Sequence, residues 1–244
     1  MDDIDAIALL QDPVRRRLYT YVVAQGREVG RNEAAEAAGV ARTLAAHHLD
    51  RLADAGLLES GSRRLTGRTG PGAGRPAKVY TRVRTERSVS LPARDYRTAA
   101  DLLAEAAEEA GLDVGLRASA RRRGEALRGS APACGDLPAA MELLAARGYE
   151  PHLQDGGAGS DGEGDGDGNA AEGEERVARA GAPVIRMRNC PFHAVAERFP
   201  PLVCGMNLAL LEGMLGTDGP LRARMAARPG ECCVVVEVSK NNAG

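Results

Sequence analysis

The chain has 244 residues, a net charge of −2 and 43% apolar residues, which allows one large or two small domains with packed cores. It contains no tryptophan, two phenylalanines and five tyrosines, which argues against a single-stranded nucleic-acid site built on stacked rings. No run approaches the roughly 20 apolar residues of a membrane span, and the acidic N-terminus lacks the build of a signal peptide. The sequence therefore predicts a cytoplasmic protein.

Charge is divided unevenly along the chain. Residues 1–90 carry a net charge of +4, and residues 91–244 carry −6. A basic front half and an acidic back half predict that the first binds DNA and the second has a different task.

The first 60 residues have helical patterns with recognisable ends. Two helices are predicted over 2–10 and 13–24, the second beginning with Asp12 as N-cap and Pro13 in the first turn. A helical pair is predicted over 32–38 and 41–55, with Gly39 at the sharp turn between them. Its second helix is predicted to bury one stripe, made of Leu44, Leu49, Leu52 and Ala55.

A basic, glycine-rich segment follows the helical pair. Strands are predicted to begin at Leu57-Leu58 and to end at Lys78-Val79-Tyr80, around a Gly- and Pro-rich stretch at 67–76. Residues 60–90 contain eight basic residues and one acidic residue, an excess that suits contact with phosphates. A solvated basic hairpin is the alternative, but the helical pair upstream favours a winged-helix DNA-binding domain.

The second helix of the pair is the predicted reader of the major groove. Arg42 suits bidentate binding to guanine, and its neighbours suit contacts with bases or phosphates. On the wing, basic side chains would contact phosphates or the minor groove. The predicted DNA-binding residues are Arg42, Thr43, Ala46, His47, Arg68, Arg75 and Lys78.

The rest of the chain is predicted to be helical first and then mixed. Helices are predicted over 93–110, 115–128 and 137–147. The first, with a stripe of Tyr96, Ala100, Leu103 and Ala107, is a candidate dimer element. Low-complexity sequence at 155–175 predicts a flexible acidic loop. Beyond it, strands are predicted over 182–187 and 233–238, and helices over 191–198 and 202–215.

The predicted fold class is therefore α+β, with four regions along the chain. They are a winged-helix domain at 1–90, a helical linker and dimerisation region at 91–150, an acidic Gly-rich loop at 151–180, and a cysteine-bearing sensor region at 181–244.

The five cysteines are odd in number, and the cytosol keeps thiols reduced, which favours metal binding or redox chemistry over a disulfide framework. Four of them fall in the last 55 residues: Cys190, Cys204, Cys232 and Cys233. Thiolates select soft metals and iron–sulfur clusters, whereas simple burial of small apolar thiols is the alternative. Cys134 stands apart and is expected to be structural.

Several motifs resemble a known family. The front half resembles the ArsR-like winged-helix regulators in Leu10-Gln-Asp-Pro-Val-Arg-Arg16, Gly39-Val-Ala-Arg-Thr-Leu-Ala-Ala-His-His-Leu49 and Gly74-Arg-Pro-Ala-Lys-Val-Tyr80. The back half resembles the SufR-type branch in Asn189-Cys-Pro-Phe-His193, Leu202-Val-Cys-Gly-Met-Asn207 and Pro229-Gly-Glu-Cys-Cys233. Those proteins are dimeric repressors that hold an iron–sulfur cluster and control genes for cluster assembly.

The resemblance implies a homodimer that binds double-stranded DNA, with Cys190, Cys204 and Cys232 as cluster ligands. Its fourth ligand is either His193 or Cys233. We expect His193, because adjacent residues of an extended run point to opposite faces, which would direct Cys233 away from Cys232.

Two other functions are kept as alternatives. One is a winged-helix regulator that senses thiol oxidation or a small molecule without a cluster. The other is a cysteine-dependent enzyme, which only the spacing of Cys190 and His193 supports. The sequence places no residue to orient such a histidine, so an enzyme is not expected.

Overall fold

The computed structural model describes residues 2–63, 76–156 and 181–239. They form two compact units of mixed helix and sheet, the first ending at Arg94 and the second beginning at Asp95. The predicted mixture of helix and sheet is confirmed. Residues 95–150 and 181–239, which belong to regions predicted as separate, contribute to the same second unit.

The N-terminal unit has a small antiparallel sheet of order β1-β3-β2 and four α-helices among its described residues. In chain order the elements are α1 Asp3–Ala8, α2 Pro13–Gln25, β1 Val29–Gly30, α3 Arg31–Ala38, α4 Arg42–Asp54, β2 Leu58–Arg63 and β3 Ala77–Arg82. Each predicted element of this unit lies within a few residues of its expected place.

Local signals explain where these helices begin and end. Asp12 caps α2, and its Oδ1 accepts the N–H groups of Val14 and Arg15 at 2.9 and 3.0 Å. Gly39 ends α3 in the left-handed region, with φ of 64°, a conformation that glycine adopts without steric cost. The α3–α4 turn is therefore determined by local sequence.

The buried stripe of α4 differs from the prediction at one position. Leu49, Leu52 and Ala55 are buried as expected, but Leu44 is 41% exposed and Ala45 takes its place in the core. Ala45, Leu49 and Leu52 have the i, i+4, i+7 spacing of a single helix face, from which Leu44 is displaced by about 100°. Leu44 therefore lies on the outer surface of α4.

The C-terminal unit has a four-stranded antiparallel sheet of order β4-β5-β7-β6, together with five helices in its described part. In chain order the elements are α5 Tyr96–Glu109, α6 Asp113–Arg128, α7 Leu137–Ala145, β4 Pro151–Gly156, β5 Gly181–Met187, α8 His193–Ala196, α9 Pro200–Leu215, β6 Leu221–Met225 and β7 Val234–Val238. Its core joins one face of the sheet to α7 and α9 and contains Ile185, Met187, Leu211, Val234 and Val236.

Three features of this unit were not predicted. β6 was missed, and β4 occupies residues 151–156, which had been assigned to the acidic loop. The helix predicted over 191–198 is only the single turn α8. The remainder of the predicted acidic loop, 157–180, lies outside the described residues.

The apolar stripe predicted for α5 divides between two surfaces. Ala100 and Ala107 are half-buried, whereas Tyr96 and Leu103 are 73% and 71% exposed. No residue of α5 is fully buried. This helix therefore packs on its own unit through alanines and leaves its larger apolar side chains on the surface.

Helices α6 and α9 approach closely enough to require glycine at their contact. A Cβ atom on Gly213 would overlap the backbone of Arg121, and one on Gly124 would overlap the backbone of Leu210. Because α9 also carries Cys204, this contact determines where that cysteine lies.

Gly213→Ala is therefore expected to lower the free energy of unfolding by about 1–3 kcal/mol, since the added methyl group must displace backbone. Urea denaturation of the full chain measures this change. Gly115→Ala is the matched control, because Gly115 lies in α6 with no atom near its Cβ position. That variant should gain roughly 0.5–1 kcal/mol from helix propensity. Equal effects of the two substitutions would contradict the close approach.

Candidate nucleic-acid interface and thiol cluster

The outer surface of α4 carries the residues predicted to read bases. Arg42, Thr43 and His47 are exposed, and Ala46 is half-exposed. No side chain caps the first turn of α4, where Ala41 is the N-cap residue. Its leading N–H groups, which a helix of this kind leaves without intrahelical partners, can therefore meet a phosphate.

Leu44 belongs to the same surface, and the sequence analysis missed it. An exposed leucine among Arg42, Thr43 and His47 is suited to apolar contact with a thymine methyl group in the major groove. Its exposure could have been predicted from the alternative buried stripe, in which Ala45 shares a helix face with Leu49 and Leu52.

Lys78 was predicted to contact DNA, but the structure pairs it with Asp50. Its Nζ atom lies 2.7 Å from Asp50 Oδ1, which also accepts a 2.6 Å hydrogen bond from the Tyr80 hydroxyl. Arg31 donates to the same carboxylate at 2.8 Å. Lys78 therefore has an internal partner, and its contact with DNA stays a prediction.

This polar group joins α3, α4 and β3. Burial alone would raise the pKa of Asp50, but hydrogen bonds from Lys78, Tyr80 and Arg31 hold that pKa below its ordinary value. Burial and the bond to Asp50 raise the pKa of Tyr80 to about 12. The charged Asp50 carboxylate therefore holds β3 against α4.

Arg68 and Arg75 lie outside the described residues. Their contacts with phosphate stay predictions from the sequence.

The C-terminal unit brings together four cysteines from three segments. Cys190 lies between β5 and α8, Cys204 lies in α9, and Cys232-Cys233 lie between β6 and β7. Their side chains are neighbours: Cys190 lies next to Cys232, Cys232 next to Cys233, and Cys233 next to Cys204. All four cysteines are free thiols. We call this group the thiol cluster.

The thiol cluster favours one thiolate over the others. The neighbouring Cys190 and Cys233 side chains, together with the Asn207 amide, lower the pKa of Cys232. The proximity of Cys232, together with burial, raises the pKa of Cys190 and Cys233. In the described part of the protein, no group of three or more His, Cys, Asp or Glu side chains could hold a metal ion as arranged.

Of the two residues considered for a fourth ligand, the structure brings Cys233 to the thiol cluster and not His193. The His193 imidazole is 53% exposed, and its Nε2 atom lies 3.2 Å from Glu197 Oε1. The expectation of His193 as a ligand requires an extended run at Cys232-Cys233. Both residues precede β7, and Cys233 lies in a bend, so they need not point to opposite faces.

Cys134 lies apart from the other four cysteines, as expected. Its Sγ atom is 3.7 Å from the carbonyl oxygen of Asp136, and its N–H donates to the carbonyl of Leu215. Burial raises the pKa of this thiol. Its contacts fit a structural role in the loop before α7.

Tyr149 and Asn207 form a polar layer behind the thiol cluster. The Tyr149 hydroxyl donates to Asn207 Oδ1 at 2.5 Å, and Asn207 Nδ2 lies 3.4 Å from Cys232 Sγ. Burial, followed by the neighbouring Cys190, Cys232 and Cys233, raises the pKa of Tyr149. The sequence analysis did not find either residue, because nothing in the spacing of 149, 207 and 232 predicts their contact.

A comparison with protein-family models gives a match in the N-terminal part of the chain. Residues 9–61, which span α2 to β2, match the family model of a helix-turn-helix domain. The N-terminal unit carries a helix-turn-helix domain. This confirms the predicted motif and supports a DNA-binding transcriptional regulator. Comparisons with curated proteins and with solved structures each give no match.

None of the helices in the described residues is long and apolar enough to cross a membrane.

Proposed function

We propose that this protein is a transcriptional repressor whose operator affinity depends on an iron–sulfur cluster bound by Cys190, Cys204, Cys232 and Cys233. The observation that carries the proposal is the convergence of these four cysteines from three separate segments. Four thiolates are the common ligand set of iron–sulfur clusters. A helix-turn-helix domain in the same chain gives such a site a function in controlling transcription.

The donor set suits this cofactor in chemistry. Cys232 is buried, the other three cysteines are half-buried, and the Asn207 amide N–H faces Cys232 Sγ. A bound iron–sulfur cluster would supply sensitivity to oxidants and to iron supply. Because its ligands come from the β5–α8 loop, α9 and the β6–β7 connection, occupancy would be coupled to the packing of the whole unit.

Regulation also requires that the two states of the protein bind DNA with different affinity. A cluster that changed the packing of α9 would act on the C-terminal unit first. Its effect on the operator would then depend on how the two DNA-reading helices of a dimer are spaced.

The first test is analysis of iron and acid-labile sulfide in protein purified without oxygen, together with its absorption spectrum. Brown protein with iron and sulfide in equal amounts supports the proposal. Colourless protein that cannot be reconstituted with iron and sulfide contradicts it.

Direct contact between the Cys190 and Cys232 thiols supports a second candidate, a regulator that senses thiol oxidation without a metal. A disulfide between these neighbours would join the β5–α8 loop to the β6–β7 connection. Colourless protein that loses two thiols on mild oxidation, and changes its operator affinity with them, would favour this alternative.

The proposed regulator acts as a homodimer, and α5 is the proposed dimer helix. Five exposed residues share the a and d spacing of a heptad repeat: Tyr96, Ala99, Leu103, Ala106 and Ala110. Leu103 lies midway, so in an antiparallel pair of these helices Tyr96 would face the small Ala110 of a second copy. This pairing of a large with a small side chain is self-complementary, as a two-fold interface requires.

Leu103→Glu is expected to convert the dimer to a 25.6 kDa monomer, because two charges would be buried at the centre of the pair. Light scattering after gel filtration measures the mass without any DNA. Leu153→Glu is the matched control, since Leu153 is an exposed leucine on β4 of the same unit. A dimer that survives Leu103→Glu would move the interface elsewhere.

A further inference from the structure

Asn207 is a fully buried amide in a helix that is otherwise mostly apolar on its inner side. A buried amide is costly unless both of its ends are hydrogen-bonded. Here one end accepts from the Tyr149 hydroxyl at 2.5 Å and the other lies 3.4 Å from Cys232 Sγ. Both ends are therefore used, and the cost of burial is compensated only while the sulfur stays in place.

The chain of hydrogen bonds has a direction. The NH₂ end of Asn207 faces Cys232 Sγ, and an amide nitrogen can only donate. The carbonyl end is then left for the phenol of Tyr149, which is itself only 3% exposed. Tyr149 therefore holds the amide in the orientation that directs an N–H at the sulfur.

We propose that Asn207 and Tyr149 are positioning residues that orient Cys232 and raise the reduction potential of the iron–sulfur cluster it binds. Hydrogen bonds to ligand sulfurs withdraw electron density from them and favour the reduced state of the cluster. The inference rests on the proposed function in one respect, namely that Cys232 is a metal ligand.

The experiment measures the midpoint potential of the reconstituted full-length protein by spectroscopic redox titration. Asn207→Leu should lower the potential, because it keeps a similar volume but removes the donor to Cys232. Tyr149→Phe should lower it by less, because the amide stays but loses the partner that orients it. Gln154→Leu, which removes an amide paired with Arg228 on β4, should leave the potential unchanged.

Iron and sulfide content and thermal unfolding are measured in parallel. A lowered potential with full cluster content and a cooperative unfolding transition supports the role. An unchanged potential in Asn207→Leu with full cluster content overturns it and leaves the proposed function standing.

If the protein without substitutions fails to take up an iron–sulfur cluster, the proposed function is contradicted. Binding of Co²⁺ alone then serves as the probe of the thiol cluster. A thiolate-to-metal charge-transfer band that moves to lower energy in Asn207→Leu supports the hydrogen bond to a ligand sulfur. An unmoved band, or no band in any protein, overturns the inference.

Discussion

Serine in place of any one of Cys190, Cys204, Cys232 or Cys233 is expected to abolish retention of iron and sulfide. A hydroxyl group is a poor replacement for a thiolate, because it stays protonated near neutral pH and is a harder ligand. Iron and sulfide analysis of each anaerobically purified variant measures the loss.

Two variants serve as controls for this prediction. Cys134→Ser should retain the full content, since Cys134 bonds to the carbonyl of Asp136 and lies apart from the thiol cluster. His193→Ala should also retain it, because the imidazole pairs with Glu197. Cluster loss in His193→Ala with retention in Cys233→Ser would reverse the assignment of the fourth ligand.

Arg42→Ala is expected to weaken binding to the cognate operator by about 1–3 kcal/mol, far more than binding to random DNA. The exposed guanidinium at the start of α4 suits bidentate contact with guanine, which carries sequence information. Fluorescence anisotropy at several salt concentrations measures both affinities.

Arg68→Ala is the contrasting variant, because the sequence assigns Arg68 to phosphate contact. It should weaken binding to both DNAs alike and reduce the salt dependence. Equal losses on operator and random DNA for Arg42→Ala would remove it as a base reader.

The N-terminal unit was predictable because its signals are local. Asp12 and Gly39 mark helix ends through contacts made within a few residues. Leu44 was wrongly predicted to be buried. A buried helix face that includes Leu44 and one that includes Ala45 both contain Leu49 and Leu52, and only packing decides between them. The pairing of Lys78 with Asp50 was not predicted, because the two residues lie 28 positions apart in the chain.

The C-terminal unit was harder to predict for two different reasons. β6 was not predicted, although Leu221, Ala223 and Met225 alternate with arginines in the period-two pattern of a strand. β4 is only six residues long and runs directly into Gly- and Asp-rich sequence, which obscured it.

Convergence of the cysteines could be expected only through the family resemblance. It depends on where α9 and the β6–β7 connection dock against β5, and no spacing along the chain encodes that. The same docking brings Cys233 to the thiol cluster, whereas His193 stays on the surface.

The central claim is that the thiol cluster of the C-terminal unit controls DNA binding by the N-terminal unit. The most direct test measures the dissociation constant for the operator with one anaerobic preparation, before and after its iron and sulfide are removed, at fixed salt and with thiols kept reduced. We predict that the two constants differ by at least about tenfold, which corresponds to a coupling free energy of roughly 1.4 kcal/mol. Identical constants, in protein shown to have lost its cluster and kept its dimeric mass, would contradict the claim.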